Sequence, residues 1–369
     1  MPVYTYTTLD DPSGATSAYG INNAQMIVGF YSGGLHGFVY SGGIFTTLDD
    51  LSGTRGTAAF GINGDAQVVG EYIDSSNNFH GFFESAGNFI TLNDPQAVGT
   101  TVAYGVNDNA HIVGYYIDSS SARHGFLYNG ISYSALNDPS GANFTIARGI
   151  NNSDQIVGFY NEGNGKTDGF LYSGGAYTTI FDPLAVVNIV AFGTIASGIN
   201  DLGQIVGYYS DANGALHGFL YSGGTYLTLD DPRAGSGRNQ GTELLGINNN
   251  GQMVGTYFDS SGVAHGFTLS ITPNPPPPGA TTADMILRHG ADGQYEIYDI
   301  GNNAILSGNS LGQVGTDWRF VGLGGFFGND TTDMLLRSAS TGGFEVYDIS
   351  NNHKTKAAFL GAVGMDWQV

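Results

Sequence analysis

The tripeptide His-Gly-Phe recurs along this chain at a near-constant interval, and that recurrence limits the possible folds more than any other feature. It stands at His36, His80, His124, His217 and His265, with Asp168-Gly169-Phe170 filling the one gap. The spacings are 44, 44, 44, 49 and 48 residues. Three further markers keep the same interval. G-(I/V)-N begins at Gly20, Gly61, Gly105, Gly149, Gly198 and Gly246, and V-G at Val28, Val69, Val113, Val157, Val206 and Val254. An acidic turn precedes each unit: Leu9-Asp10-Asp11-Pro12, Leu48-Asp49-Asp50, Leu92-Asn93-Asp94-Pro95, Leu136-Asn137-Asp138-Pro139, Phe181-Asp182-Pro183 and Leu229-Asp230-Asp231-Pro232. Such units cannot bury a hydrophobic face alone and must pack on their neighbours.

One unit reads as four short strands. In the fifth copy they fall at residues 196–200, 204–209, 217–221 and 226–229, with Asn200-Asp201-Leu202-Gly203 as a tight turn whose Gly takes positive φ. No segment carries a capped apolar face of period 3.6, so helix should be scarce. Four strands per roughly 45 residues, six times over, is the arithmetic of a β-propeller. The sixth copy lacks its fourth strand, and Tyr4-Thr5-Tyr6-Thr7-Thr8-Leu9 at the N-terminus is a spare one. The reading is therefore all-β: residues 1–270 as a six-bladed β-propeller closed by the N-terminal strand. Closure would hide sheet edges that invite aggregation.

The repeat resembles the HAF-type extracellular repeat family, through G-I-N-x-x-G-Q-I-V-G-Y-Y followed by H-G-F-L-Y. The resemblance covers residues 1 to 270 and implies a secreted or surface-associated bacterial repeat protein, with no catalytic residue assigned. The N-terminus, MPVYTYTTLDD, has neither a basic nor an apolar leader segment, so the export expected is without a classical signal peptide.

The pattern stops at Ile271. Residues 271–283 hold a Pro-rich linker, TPNPPPPGATT, stiff and extended. A second repeat fills 284–369: Asp284-Met-Ile-Leu-Arg288 returns as Asp333-Met-Leu-Leu-Arg337, Tyr295-Glu-Ile-Tyr as Phe344-Glu-Val-Tyr, and Val314-Gly-Thr-Asp-Trp318 as Val363-Gly-Met-Asp-Trp367, each with a period of 49. It looks like FG-GAP or VCBS-type repeats. Two copies cannot close a ring, so they pair into a small β domain, self-associate with another chain, or belong to a longer array.

Charge narrows the partners. Acids outnumber bases 32 to 11 and the net charge is −21. Nucleic acid is excluded, because binding it needs Lys and Arg on phosphates. No apolar run reaches membrane-spanning length. With no cysteine, thiolate and Cys-zinc chemistry are excluded.

In a propeller blade the fourth-to-first and second-to-third loops share one face. The acidic turns belong to the first class of loop. Asp74, Asp118, Asp211 and Asp259 belong to the second, so both sets should crowd one strongly negative face. Two loops, 184–195 and 233–244, are longer than the rest. Arg233, Arg238 and Glu243 break the charge pattern there, and these seven residues are the candidate ligand-binding set. The HGF histidines, one per blade, cannot converge on a metal and should tie loops to blades. Adjacent aromatics after V-G, such as Tyr115-Tyr116 and Tyr208-Tyr209, should point one into the inter-blade core and one out of it.

Calcium is the ion the oxygen-rich residues would take. FG-GAP-type repeats carry D-x-N-x-D-G-x-x-D; residues 325–333 (GFFGNDTTD) keep Asn329 and Asp333, with Asp330 where the motif has Gly and with Gly325 and Phe327 in place of its first ligands, and Asn329, Asp330 and Asp333 are the candidate metal set. No phosphate loop or hydrolase motif occurs. The function expected is a non-catalytic extracellular binding or adhesion module, taking a carbohydrate or surface polymer through the acidic long-loop face. The alternatives are a glycoside hydrolase or polysaccharide lyase with inter-blade carboxylates, and a structural assembly repeat.

Overall fold

Short alternating segments bounded by Gly, Asn and Asp turns pair readily with their sequence neighbours, and most of the described strands form antiparallel meanders. The computed structural model describes residues 3–32, 35–50, 52–141, 144–163, 165–188, 192–272, 283–288, 294–301, 304–313, 316–324, 333–350 and 353–362. These residues contain strands and no helix. Among the described residues no helix is long and apolar enough to cross a membrane. The chain divides into two compact units, 2–272 and 273–369 with Met1.

The larger unit opens with β1 (Val3–Leu9). The first blade is β2 (Thr16–Ile21), β3 (Ile27–Tyr31), β4 (His36–Ser41) and β5 (Ile44–Leu48). The second is β6 (Gly56–Ile62), β7 (Val68–Ile73), β8 (Phe79–Ser85) and β9 (Asn88–Leu92). The third is β10 (Thr101–Val106), β11 (Ile112–Ile117), β12 (Arg123–Tyr128) and β13 (Tyr133–Leu136). The fourth is β14 (Thr145–Ile150), β15 (Ile156–Asn161), β16 (Thr167–Ser173) and β17 (Ala176–Ile180). The fifth is β18 (Thr194–Ile199), β19 (Ile205–Ser210), β20 (Leu216–Ser222) and β21 (Thr225–Thr228). The sixth is β22 (Gly241–Ile247), β23 (Met253–Phe258) and β24 (Ala264–Thr272), and β1 lies outside β24 in antiparallel register from Val3↔Thr272 to Leu9↔Gly266.

Inter-blade packing explains the H-G-F and V-G motifs. Phe38, Phe82, Phe126, Phe170, Phe219 and Phe267 are each fully buried. Burying one such ring stabilises by about 1.5–3 kcal/mol. The V-G glycine makes room for that ring: a methyl on Gly114 would meet the Val102 carbonyl oxygen at 1.9 Å and Phe126 at 2.9 Å. The cores span neighbours, as when Val113 and Leu136 of the third blade pack with Ala147, Ile156, Tyr160 and Phe170 of the fourth.

The G-(I/V)-N motif is the inner seam. A methyl on Gly61 would sit 3.1 Å from the Gly105 Cα, and the same close approach runs Gly105 to Gly149, Gly149 to Gly198, Gly198 to Gly246 and Gly246 to Gly20. Only residues without Cβ allow the six inner strands to approach this closely. The adjoining asparagines lock the seam. Asn22 Nδ2 donates to the Asn63 carbonyl at 3.0 Å, Asn63 to Asn107 at 3.0 Å, Asn107 to Asn151 at 3.0 Å, Asn151 to Asn200 at 3.1 Å, Asn200 to Asn248 at 3.1 Å, and Asn248 back to Asn22 at 3.1 Å. Each Oδ1 also shapes its own turn; Asn200 Oδ1 accepts from the Leu202 and Gln204 amides at 3.1 and 3.0 Å. Gly203 and Gly251 take positive φ there, but Gln25, Ala66, Ala110 and Asp154 hold the same conformation in other blades, so the turn does not depend on Gly.

Asn200→Ala removes the cross-blade hydrogen bond to the buried Asn248 carbonyl, which keeps only the Gly251 amide at 3.1 Å, and leaves the Leu202 and Gln204 turn amides without their acceptor. We expect it to destabilise by about 2 kcal/mol in urea unfolding, since an unsatisfied buried group costs about 1–3 kcal/mol. The exposed Asn213→Ala should stay within about 0.5 kcal/mol. Equal midpoints for the two variants would show that the asparagine ring is not structural.

The second unit has two antiparallel sheets. One holds β25 (Ala283–Arg288), β26 (Gln294–Gly301) and β27 (Ala304–Gln313). The other holds β28 (Trp318–Gly324), β29 (Asp333–Ser338), β30 (Gly343–Ser350) and β31 (His353–Ala362). Tyr295 of the first packs with Met334, Leu336 and Tyr347 of the second, and Trp318 lies against them. The linker 273–282 lies outside the described residues, as does Trp367.

Candidate functional site

The loops expected to form a shared acidic face do meet, and the HGF histidines join them. His80 Nδ1 lies 2.9 Å from Asn93 Oδ1 on the loop toward the third blade, and its Nε2 lies 3.2 Å from Asp74 Oδ2 on the second-to-third loop. His124 repeats this with Asn137 at 3.1 Å and Asp118 at 3.0 Å. His36, His217 and His265 meet Asp49, Asp230 and Asp10 at 2.7, 2.7 and 2.8 Å. The Asp230 hydrogen bond, opposed by desolvation, raises the His217 pKa. Each ring also lies beside a tyrosine of its own blade, for example Tyr257 with His265 at 4.8 Å between centroids. In the fourth blade Asp168 takes the histidine position and pairs with Lys166 Nζ at 2.7 Å.

The candidate ligand carboxylates are occupied by their own turns. Asp74 Oδ1 accepts from the Ser76 and Asn78 amides at 2.7 and 2.9 Å. Asp118 accepts from Ser120 and Ala122 at 2.8 and 3.0 Å, Asp211 from Asn213 and Ala215 at 2.8 and 2.9 Å, and Asp259 from Ser261 and Val263 at 2.8 and 2.9 Å. Hydrogen bonds to the ionised form hold Asp74, Asp118 and Asp259 well below the ordinary carboxylate range. The acidic turns do the same work one loop over: Asp50, Asp94 and Asp138 each accept from the amide two residues on.

The remaining candidates separate. Arg233 is held at the turn, with Asp231 at 2.6 Å and its guanidinium 4.9 Å from the Tyr257 ring centroid, and it also donates to Thr8. Arg238 is exposed on the loop. Glu243 is not on the loop: it sits within β22, in the electrostatic reach of Arg148. Because β22 begins at Gly241, the last part of the expected loop is strand. Of the metal set, Asn329 and Asp330 lie outside the described residues, and Asp333 opens β29. No group of three or more His, Asp or Glu placed to hold a metal occurs among the described residues.

The axis holds residues that the sequence reading did not single out. Each inner strand carries a bulge, between Ala18/Gly20, Ala59/Gly61, Ala103/Gly105, Ala147/Gly149, Ala196/Gly198 and Leu244/Gly246. A bulge re-aims a side chain. The bulged residues Tyr19, Phe60, Tyr104, Arg148, Ser197 and Leu245 line an axial cavity of about 20 Å³, large enough for a single water. The Arg148 guanidinium lies 5.3 Å from the Tyr104 ring centroid and 5.2 Å from that of Phe159, and donates to Ser197 Oγ at 3.5 Å. Two carboxyls face the same axis. Desolvation raises the Glu243 pKa to about 7 against the pull of Arg148, and desolvation alone raises that of Glu71 to about 7. The first of each adjacent aromatic pair, such as Tyr208, also turns to this axial cluster instead of outward. One signal could have found these charges: Glu71 and Arg148 stand at positions that are aromatic in most other copies.

No family model matches the chain, and no curated protein matches it. Solved structures similar to it include the Aleuria aurantia lectin, described as a fungal lectin with a six-bladed β-propeller fold and fucose recognition (14% identity, 72% of this chain and 97% of that one, TM-score 0.45). A gluconolactonase from Xanthomonas campestris is also similar (14% identity, 72% and 89%, TM-score 0.43), as is a streptogramin B lyase (10% identity, 73% and 98%, TM-score 0.41).

Proposed function

We propose that this protein is a non-catalytic binding module for a neutral, hydroxyl-rich partner, a carbohydrate or surface polymer. The observation that carries the reading is the locked loop face. Histidines join successive loops on it, and aspartates pin each turn through two backbone amides. A surface ordered before its partner arrives loses little entropy on binding, which suits recognition without moving parts. The larger unit carries 22 acids and 6 bases over residues 1–270, so its field disfavours polyanions. The same reading takes β1 as the latch of the ring, holding the sixth blade and the outer edge of β24.

A glycan array probed with the full chain tests the proposal. We expect signal on neutral glycans and none on sulfated or uronic-acid-rich ones at low salt. Binding confined to anionic glycans, or none above background, would overturn it.

A further inference from the structure

The third blade departs from the repeat at three places that surround one groove. In four blades the second-strand tyrosine hydroxyl meets a threonine on the outermost strand: Tyr31 with Thr47 at 3.3 Å, Tyr72 with Thr91 at 3.0 Å, Tyr160 with Thr179 at 3.4 Å and Tyr209 with Thr228 at 3.2 Å. In the sixth blade the corresponding residues, Tyr257 and Thr8, both contact Arg233. In the third blade the pairing register puts Ala135 opposite Phe126, where the fourth has Thr179 opposite Phe170. Lacking the threonine, Tyr116 donates its hydroxyl to Gln96 Oε1 at 2.7 Å, on the loop arriving from the second blade.

The other two departures flank this gap. Gln96 stands where the first, second and fourth blades carry Ser13, Ser52 and Ser140. The outer hairpin, Ser-Gly-Gly in the first, fourth and fifth blades, is Asn129-Gly130-Ile131-Ser132 here, shaped by Asn129 Oδ1 accepting from the Ile131 and Ser132 amides at 3.0 and 2.9 Å. Ile131 is left 90% exposed at the rim. The result is a groove of about 470 Å³ bordered by Asp94, Gln96, Tyr116, Tyr128, Ser132 and Tyr133, within the size range of small-molecule sites.

The lining selects the ligand class. Tyr128 and Tyr133, with ring centroids 4.6 Å apart, give the apolar surface. The Gln96 Nε2 and the Ser132 hydroxyl offer donors, and Asp94 offers its Oδ2 as an acceptor, its Oδ1 being held by the Gln96 backbone amide at 2.8 Å; no Arg or Lys borders the groove. Arg123 of the same blade is directed elsewhere, 4.9 Å over the Phe144 ring. An anionic ligand would meet the Asp94 carboxyl with no Arg or Lys at the groove to offset it. We propose that the groove between the second and third blades is the site where one neutral hexopyranose unit binds, its ring face against the tyrosines and its hydroxyls on Gln96, Asp94 and Ser132. This rests on the carbohydrate reading above and narrows it to one of six blades.

The test uses the full chain and a panel of neutral methyl hexopyranosides, by saturation-transfer NMR and then calorimetry on the strongest binder. Ala135→Thr restores the contact of the other blades and releases Tyr116 from Gln96; Gln96→Ser restores the commoner loop residue from an exposed position. Each should raise the Kd by about tenfold or more, about 1.4 kcal/mol, while Thr91→Ala in the second blade leaves it unchanged. Sugar binding that is indifferent to both groove variants would overturn this site and leave the carbohydrate reading standing. If the wild-type chain binds no neutral pyranoside, the proposal falls together with that reading.

Discussion

A chain lacking residues 1–9 is expected to lose its cooperative melt at physiological temperature and to aggregate. β1 contributes seven paired residues to the outside of β24. It also contributes Leu9, only 5% exposed and packed with Ala18, Ile21, Ile27, Phe38 and Val254. Truncating one such core leucine costs about 2–5 kcal/mol. The deletion removes that side chain, the Tyr6 contact with Phe267 at 6.0 Å between centroids, and a ladder of backbone hydrogen bonds. What remains is the unpaired edge of β24, a template for strand addition from another chain. We therefore expect a loss of more than about 5 kcal/mol, close to the whole stability of a typical domain. Thermal melting with light scattering reads both effects. A synthetic peptide of residues 2–10 added in trans should restore the melt and suppress aggregation. A truncated chain that melts with the wild type would show that the six blades hold together without the latch.

Glu71→Gln is expected to raise the melting temperature at pH 8 and leave it unchanged near pH 4.5. Glu71 sits on the axial face of β7, and desolvation raises its pKa from 4.5 to about 7. The folded protein thus holds a proton that the unfolded chain releases between those values. Where the folded state binds more protons, stability falls as pH rises. The contribution is complete below pH 4.5 and declines through pH 7. Each pH unit separating the folded and unfolded pKa values costs about 1.4 kcal/mol, so the loss at pH 8 is on the order of 3 kcal/mol. Gln stands in for the protonated acid and removes that loss. For a domain near this size the gain is roughly 6–12 °C, at about 2–4 °C per kcal/mol. Glu243 keeps part of the slope, since its pKa also lies at about 7. Asp74, Asp118 and Asp259, whose pKa values are lowered, act in the opposite sense as the pH falls further, so stability peaks in mildly acidic solution. Parallel pH profiles for wild type and Glu71→Gln would refute this account. Glu243→Gln is a poorer probe, because it strips the compensating charge from Arg148.

The blade was legible in the sequence alone. Its period, the glycines of V-G and G-(I/V)-N, and the buried phenylalanine of H-G-F recur because every copy meets the same packing demand. A residue limited by a local clash, such as Gly114 against the Val102 carbonyl, reads directly from a repeat. The role of the histidines was legible for the same reason, since one residue per blade at one strand position can serve only its own blade. What surrounds each candidate residue was not legible. Asp74 and Asp118 looked available as ligands, and only the backbone amides folded around them show that they are turn locks. Glu243 looked like a loop charge because its strand was expected to begin after it; the strand begins at Gly241, and Glu243 pairs with Thr256 inside it, near Arg148. The gap at Ala135 has no local signature either. A missing hydroxyl becomes a groove only when Tyr116, Gln96 of the preceding loop and the outer hairpin are brought around it. Those residues lie up to 36 positions apart, from Gln96 to Ser132, and tertiary packing alone joins them.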